Sequence, residues 1–173
     1  MLSAIREDRT PNLLLLSYKQ MTWQVSDLLI IPHFAFFEQA IIPRKPLALT
    51  ARRAGWIGCN IDLSQITPEA RIPIIQNGQV VSSATVSDRF SKLKPLSQIK
   101  SNERGWTLAV LNAIQTSSLS KFTTQEAYGF ESKLQAIFPS NRHIRQKIRQ
   151  QLQVLRDMGL ITHVCRGCWK ASL

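Results

Sequence analysis

Residues 140–159 read SNRHIRQKIRQQLQVLRDMG, and this stretch decides the fold of the C-terminal half. Ile144, Ile148, Leu152 and Leu155 recur at helical spacing and make one apolar stripe. Arg142, Arg145, Arg149 and Arg156 fall on a second stripe about a quarter turn away, at 100° per residue. Gln146, Gln150 and Gln153 fill the adjoining face. Ser140 is the expected N-cap, and Gly159 the expected stop. From Asn141 to Arg156 there is no acid to balance the arginines. A basic helix face lined with Arg and Gln suits groove entry: Arg pairs with guanine edges or phosphates, and Gln with adenine edges.

The flanking sequence completes a pattern. Upstream, Trp106, Ala109, Val110, Ala113 and Ile114 recur at helical spacing. Thr123-Thr124-Gln125-Glu126 fits a capping box that opens a second helix, expected to run to about Ile137. Downstream, Leu160–Val164, a turn at Arg166-Gly167 and then Trp169 predict a small hairpin. Three helices followed by a basic hairpin is the order of a winged helix-turn-helix, whose last helix reads the major groove. Residues 104–173 are therefore expected to form that unit, with Arg166 on the wing.

The first half has a different texture. Leu13–Tyr18 is expected as a buried strand and Trp23–Ile31 as a second, stopped by Pro32. His33–Ala40 reads as a short helix. Pro43 and Pro46 break regular structure, and Gly55 and Gly58 flank Trp56 and Ile57 in a tight backbone. Ile61–Leu63 and Arg71–Gln76 read as strands, the latter closed by Asn77-Gly78. Residues 1–81 form one expected unit, and the polar stretch 82–103 an expected linker.

Composition sets the partner class. The chain has 173 residues, enough for a substantial core, with 22 Lys+Arg against 11 Asp+Glu and a formal charge of +11. Residues 1–100 hold 12 basic and 7 acidic residues, and residues 101–173 hold 10 and 4. Such an excess favours a polyanionic partner, and duplex DNA is expected. Runs such as Leu13–Leu16 and Leu28–Ile31 are too short to span a bilayer, so no membrane partner is expected. Met1–Thr10 carries Arg6, Glu7, Asp8 and Arg9 where a leader would be apolar, and a cytoplasmic location is expected.

Catalytic and metal signals are sparse. There is no G-x-S-x-G, H-E-x-x-H or P-loop. The only E-x-K, Glu131-Ser132-Lys133, lies in a predicted helix and reads as two surface residues. Asp62 and Glu69 carry no sign that they converge. His33, His143 and His163 are scattered. The three cysteines, Cys59, Cys165 and Cys168, argue by their odd, low count against a disulfide framework and for a reducing compartment. Cys165-x-x-Cys168 supplies only two zinc ligands of four, so no metal site is expected.

Three stretches carry a resemblance: Arg44–Ala48 continuing through Thr50–Gln65, Arg104–Thr107, and Lys147–Gln153 with Leu155–Asp157. They closely resemble the DpnI-like, or Dam-replacing, restriction endonucleases, over nearly the whole chain. The resemblance implies an α+β protein: part of a restriction-endonuclease-like PD-(D/E)xK domain followed by a winged helix. It implies Mg²⁺-dependent cleavage of GATC carrying N6-methyladenine, with both units reading the site. It assigns Trp56, beside Arg52 and Arg53, to methyl-adenine discrimination, a flat indole being an apolar reader. Buried core is the competing role for that Trp. Met1 matches an internal region of the longer enzymes, past their catalytic carboxylates and cysteine-rich zinc site. This chain by itself is therefore expected to bind methylated DNA as a monomer, with no catalytic residues and no cofactor of its own. A winged-helix regulator without nuclease function and a non-functional gene remnant are the alternatives.

Overall fold

The computed structural model describes residues 1–117 and 119–172, so Leu173, the end of the expected second unit, lies outside the described residues. The chain is a mixed α and β protein, a sheet-bearing N-terminal part followed by a winged helix-turn-helix. A short helix α1 (Leu2–Arg6) precedes strands β1 (Leu13–Lys19) and β2 (Gln24–Ile31). These pair antiparallel, and β5 (Ile72–Gln76) and β6 (Gln79–Val80) extend the sheet in the order β1-β2-β5-β6. The β5–β6 turn is Asn77-Gly78, both at positive φ, as the mirror-image hairpin turns demand.

β1 is a strand as predicted, but not a buried one. It is the sheet's edge, and Leu14 and Leu16 are more than half exposed. Its apolar run suggested burial on both faces, whereas only Leu13 and Leu15 pack against the core. His33–Ala40 is likewise not a helix. It forms two 3-10 turns, His33–Ala35 and Glu38–Ala40, with Phe36 and Phe37 extended between them. A helix would bury one stripe of this segment. Extended residues instead send successive side chains in opposite directions, and Phe34, Ala35, Phe36, Phe37 and Ala40 are all buried.

Strands β3 (Ile41–Pro43) and β4 (Cys59–Ile61) form a separate two-stranded ribbon. The strand expected at Ile61–Leu63 thus ends at Ile61, because Asp62 turns the chain. Its carboxylate accepts from Ser64 N at 2.9 Å and caps a 3-10 turn.

Residues 82–103, expected as a linker, contain helix α2 (Ser83–Leu93) and a 3-10 turn over Lys94–Gln98. Ser82 caps α2 by accepting from Thr85 N at 3.2 Å. Leu93 and Leu96 are fully buried, with Val86 and Phe90 partly so. The helical spacing of 86, 90 and 93 is present in the sequence, but serine and lysine dominate the exposed face and dilute it.

Helix α3 (Ser101–Thr116) joins the two halves. Every residue from Arg104 to Ile114 is buried, so this helix has no solvent stripe. One side meets the first half. Asn112 Nδ2 donates to Ser64 O at 3.0 Å, and Gly105 lies where a Cβ would meet Phe37 at 3.5 Å. The other side meets the second half, where Trp106 stacks on Phe138 with centroids 4.0 Å apart. Thr107 Oγ1 donates to Gln151 Oε1 at 2.7 Å, both residues being buried. Thr107→Val should therefore cost about 1–3 kcal/mol, because the Gln151 amide is left buried without its donor. Adding Gln151→Met should restore most of that loss, checked by urea unfolding of both variants.

In the second half, β7 (Lys121–Thr123) leads into α4 (Thr124–Tyr128). The capping box is formed: Thr123 Oγ1 accepts from Glu126 N at 3.1 Å, and Glu126 Oε2 accepts from Thr123 N at 2.6 Å. The helix expected to reach Ile137 breaks at Gly129-Phe130, and α5 (Glu131–Ile137) follows as a separate element. Helix α6 (Ile144–Asp157) buries Ile144, Ile148, Leu152 and Leu155, as its periodicity predicts. Its N-cap is His143 rather than Ser140. Asn141 Oδ1 accepts from His143 N at 2.7 Å, so the chain turns three residues later than expected. Strands β8 (Ile161–Cys165) and β9 (Cys168–Ala171) make the wing, and β7 adds a third strand on β9. Although the low, odd cysteine count argued against a disulfide framework, Cys165 and Cys168 are disulfide-linked across the wing turn, where the hairpin brings their Cα atoms to 4.9 Å.

Candidate nucleic-acid interface

Burying the apolar stripe of α6 turns its other face outward. Arg145, Gln146, Arg149, Gln150, Gln153 and Arg156 are all exposed. The four arginines of the predicted stripe are not equivalent. Arg145 Nε donates to Glu131 Oε2 at 2.7 Å, and its guanidinium lies over the Tyr128 ring at 5.6 Å. Arg156 donates to Asp157 Oδ1 at 2.8 and 2.9 Å. Both ion pairs are exposed and cost little to exchange for a phosphate. Among the described residues Arg149 takes part in no ion pair and is fully open, while Lys147, also unpaired, is half-buried. Arg142 is exposed but precedes α6, because the helix begins at Ile144. It lies in the turn leading into the helix and not on its stripe.

The wing brings a further predicted cation. Arg166 is exposed at the β8–β9 turn. The turn is fastened to the start of α4, since Thr124 N donates to Gly167 O at 2.8 Å. Trp169 Nε1 in turn donates to Thr124 Oγ1 at 2.9 Å, with the indole buried.

The remaining predicted contacts lie on the excursion between β3 and β4. Its two limbs stay paired: Arg44 N donates to Gly58 O at 2.9 Å, and Leu47 N to Trp56 O at 3.0 Å. Gly55, at φ +77°, makes the return possible. Arg52 and Arg53 are exposed in the turn. Trp56 is 54% exposed, which rules out a core role for it here. A Cβ at residue 58 would lie 3.0 Å from Trp56 Cζ3, so glycine lets the indole come close to the backbone there. Leu49 and Ile57 are also exposed on this excursion, apolar neighbours that its Arg-rich sequence hides. An exposed aromatic pair elsewhere escaped sequence reading. Tyr18 and Trp23 stack across the β1–β2 turn with centroids 5.4 Å apart. Their spacing around a turn was the available signal.

Several of the acidic residues are engaged elsewhere, although Glu69 takes part in no ion pair among the described residues. Glu131 holds Arg145, whereas Lys133 Nζ donates to Thr116 Oγ1 at 3.2 Å, so the E-x-K pair is divided. Glu38 binds Arg6 at 2.8 and 2.9 Å. Asp8 accepts from Arg104 at 2.8 and 3.0 Å. Asp62 is held below the usual carboxylate range by its bonds from Ser64. Among the described residues, no group of three His, Cys, Asp or Glu gathers to hold a metal ion. No helix among them is long and apolar enough to cross a membrane.

Two family models match the chain. One described as the Dam-replacing family covers residues 1–99, and one described as the Dam-replacing HTH domain covers residues 102–171.

Proposed function

The chain belongs to the Dam-replacing, DpnI-like family of DNA-binding, restriction-type proteins, and from that premise we propose that it binds GATC duplexes carrying N6-methyladenine. α6 and the wing supply groove and backbone contacts through Arg142, Arg145, Gln146, Arg149, Gln150, Arg156 and Arg166. The β3–β4 excursion reads the methyl group, with Trp56 as the apolar surface and Arg52 and Arg53 on the phosphates. The observation that carries this reading is the exposed Trp56 indole packed close to Gly58 near two exposed arginines. With Leu49 and Ile57 also exposed on the excursion, Trp56 belongs to a local apolar patch, and a methylated base edge is a fitting partner for it.

The Mg²⁺ chemistry implied by the family does not fit the residues described here. A hard cation needs several gathered oxygens, and among the described residues no three acidic, His or Cys side chains come together to supply them. The reading for this chain alone, acting as a cytoplasmic monomer, is thus binding without cutting.

Binding to methylated and unmethylated GATC duplexes of equal length tests the proposal. Each buried methyl is worth about 0.8 kcal/mol, roughly fourfold in affinity. Trp56→Ala should abolish that preference and leave affinity for the unmethylated duplex nearly unchanged, whereas Trp56→Phe should keep part of it. Equal binding of both duplexes by the unaltered chain would favour a winged-helix protein indifferent to methylation. Efficient Mg²⁺-dependent cutting of methylated plasmid would overturn the non-cutting half of the reading.

A further inference from the structure

The wing turn carries a chemical group that the DNA-binding reading leaves unused. Cys165 is exposed and Cys168 half-buried, so the disulfide joining them is open to small molecules. Arg166, the wing's candidate phosphate contact, lies inside the loop that this disulfide closes. The two sides of the turn are held differently. On the Gly167 side, Thr124 N donates to Gly167 O at 2.8 Å and Thr124 Oγ1 to the same oxygen at 3.3 Å. Trp169, next in β9, is buried and bonded to Thr124. On the Cys165 side, the β8–β9 register slips between His163 and Cys165, and Val164 is exposed. The covalent link therefore ties the loose limb, with Arg166, to the limb anchored on α4.

We propose that Cys165 and Cys168 form a thiol–disulfide exchange site for small thiols of the glutathione class, and that its oxidised form presents Arg166 to DNA. A small thiolate attacks Sγ of the exposed Cys165, and the Sγ of Cys168 leaves as a thiolate and takes a proton. A second small thiolate then attacks the small-molecule sulfur of the mixed disulfide and releases Cys165. Two small thiols become one small disulfide, and the wing disulfide gains two electrons and two protons. In the closed form the turn is already ordered. In the open form, Arg166 and its limb must be ordered on binding. The coupling to DNA rests on the functional reading above, whereas the exchange chemistry does not.

The test uses the full chain, equilibrated with either reduced or oxidised glutathione. Thiol labelling should mark Cys59 alone in the oxidised form, and Cys59, Cys165 and Cys168 in the reduced form. The oxidised form should bind a methylated GATC duplex about three- to tenfold more tightly, the cost of immobilising one long side chain and its turn. The double variant Cys165→Ser/Cys168→Ser should hold the weaker affinity under both conditions, whereas Cys59→Ser should respond like the unaltered chain. Labelling of all three thiols under oxidising conditions would overturn the exchange site. Equal affinities of the two forms, or a response that survives in the double variant, would overturn the coupling. Absence of DNA binding in both forms would remove the functional reading and the coupling with it, while labelling would still judge the exchange site.

Discussion

Replacing Arg149 and Gln150 together by alanine should weaken duplex binding about a hundredfold, with thermal stability unchanged. A base or phosphate contact of this kind is worth about 1–3 kcal/mol, so two lost contacts of about 1.4 kcal/mol each give that factor. Stability is spared because both side chains are exposed, while the packing of α6 rests on Ile144, Ile148, Leu152 and Leu155. Arg149→Ala alone separates two roles. A phosphate contact removed should reduce the slope of log affinity against log salt by about 0.9, evenly for all sequences. A guanine contact removed should relax preference at one position and leave the slope alone. Arg145→Ala and Arg156→Ala should each do less, because those guanidinia give up Glu131 and Asp157 to reach DNA. Fluorescence titrations at three salt concentrations decide among these outcomes. Unchanged affinity of the Arg149→Ala/Gln150→Ala variant would remove α6 as the reader.

The largest expected effect on stability belongs to Arg104. Its side chain is 2% exposed, donates to both oxygens of Asp8, and donates twice to Ile99 O at 2.7 and 3.1 Å. Arg104→Ala should destabilise the chain by about 3 kcal/mol, combining the emptied volume with the lost bonds to Ile99 O. Asp8, almost half exposed, rehydrates and adds little of its own. The consequence is long-range, because this pair ties the segment after α1 to α3, the helix shared by both halves.

The same pair predicts an acid limb. Bonding to Arg104 holds the Asp8 carboxyl below its usual value. The folded state thus favours the ionised form. Above about pH 5 both folded and unfolded chains are ionised at Asp8, whose unfolded value is about 3.9, and its contribution is complete. It is lost as pH falls through the folded value. In Arg104→Ala that contribution should vanish, so urea midpoints measured from pH 6 to pH 3 should converge for the two chains. Parallel curves would show that Asp8 gains nothing from Arg104.

Much of the fold was written locally. The apolar stripe of α6, the Thr123–Glu126 box, the Asn77-Gly78 turn and the wing hairpin each depend on neighbours a few residues away. The structure reproduces them. The resemblance in Thr50–Gln65 pointed to the family, which the two family models bear out. What local patterns misjudged were partners distant in sequence. Nothing in the run Leu13–Leu16 says whether a strand pairs on one side or two. The polar face of α2 concealed a buried one. A single cap and a continuous apolar pattern hid the break at Gly129, which lets α5 pack on α6 separately from α4.

The site shows the same division. Composition and spacing alone placed a basic face on α6, because charge and periodicity are properties of the chain itself, and the resemblance pointed to Trp56 beside Arg52 and Arg53. Only the tertiary structure decided that Arg145 and Arg156 are paired while Arg149 stands open, that Arg142 lies ahead of the helix, and that Trp56 is solvated on Gly58. It also decided that Cys165 and Cys168 meet across the wing, where their low, odd count argued against a disulfide framework. The physical reason is common to all of these. Sequence sets which groups a segment can offer, whereas pairing, exposure and distance depend on what long-range packing brings opposite them.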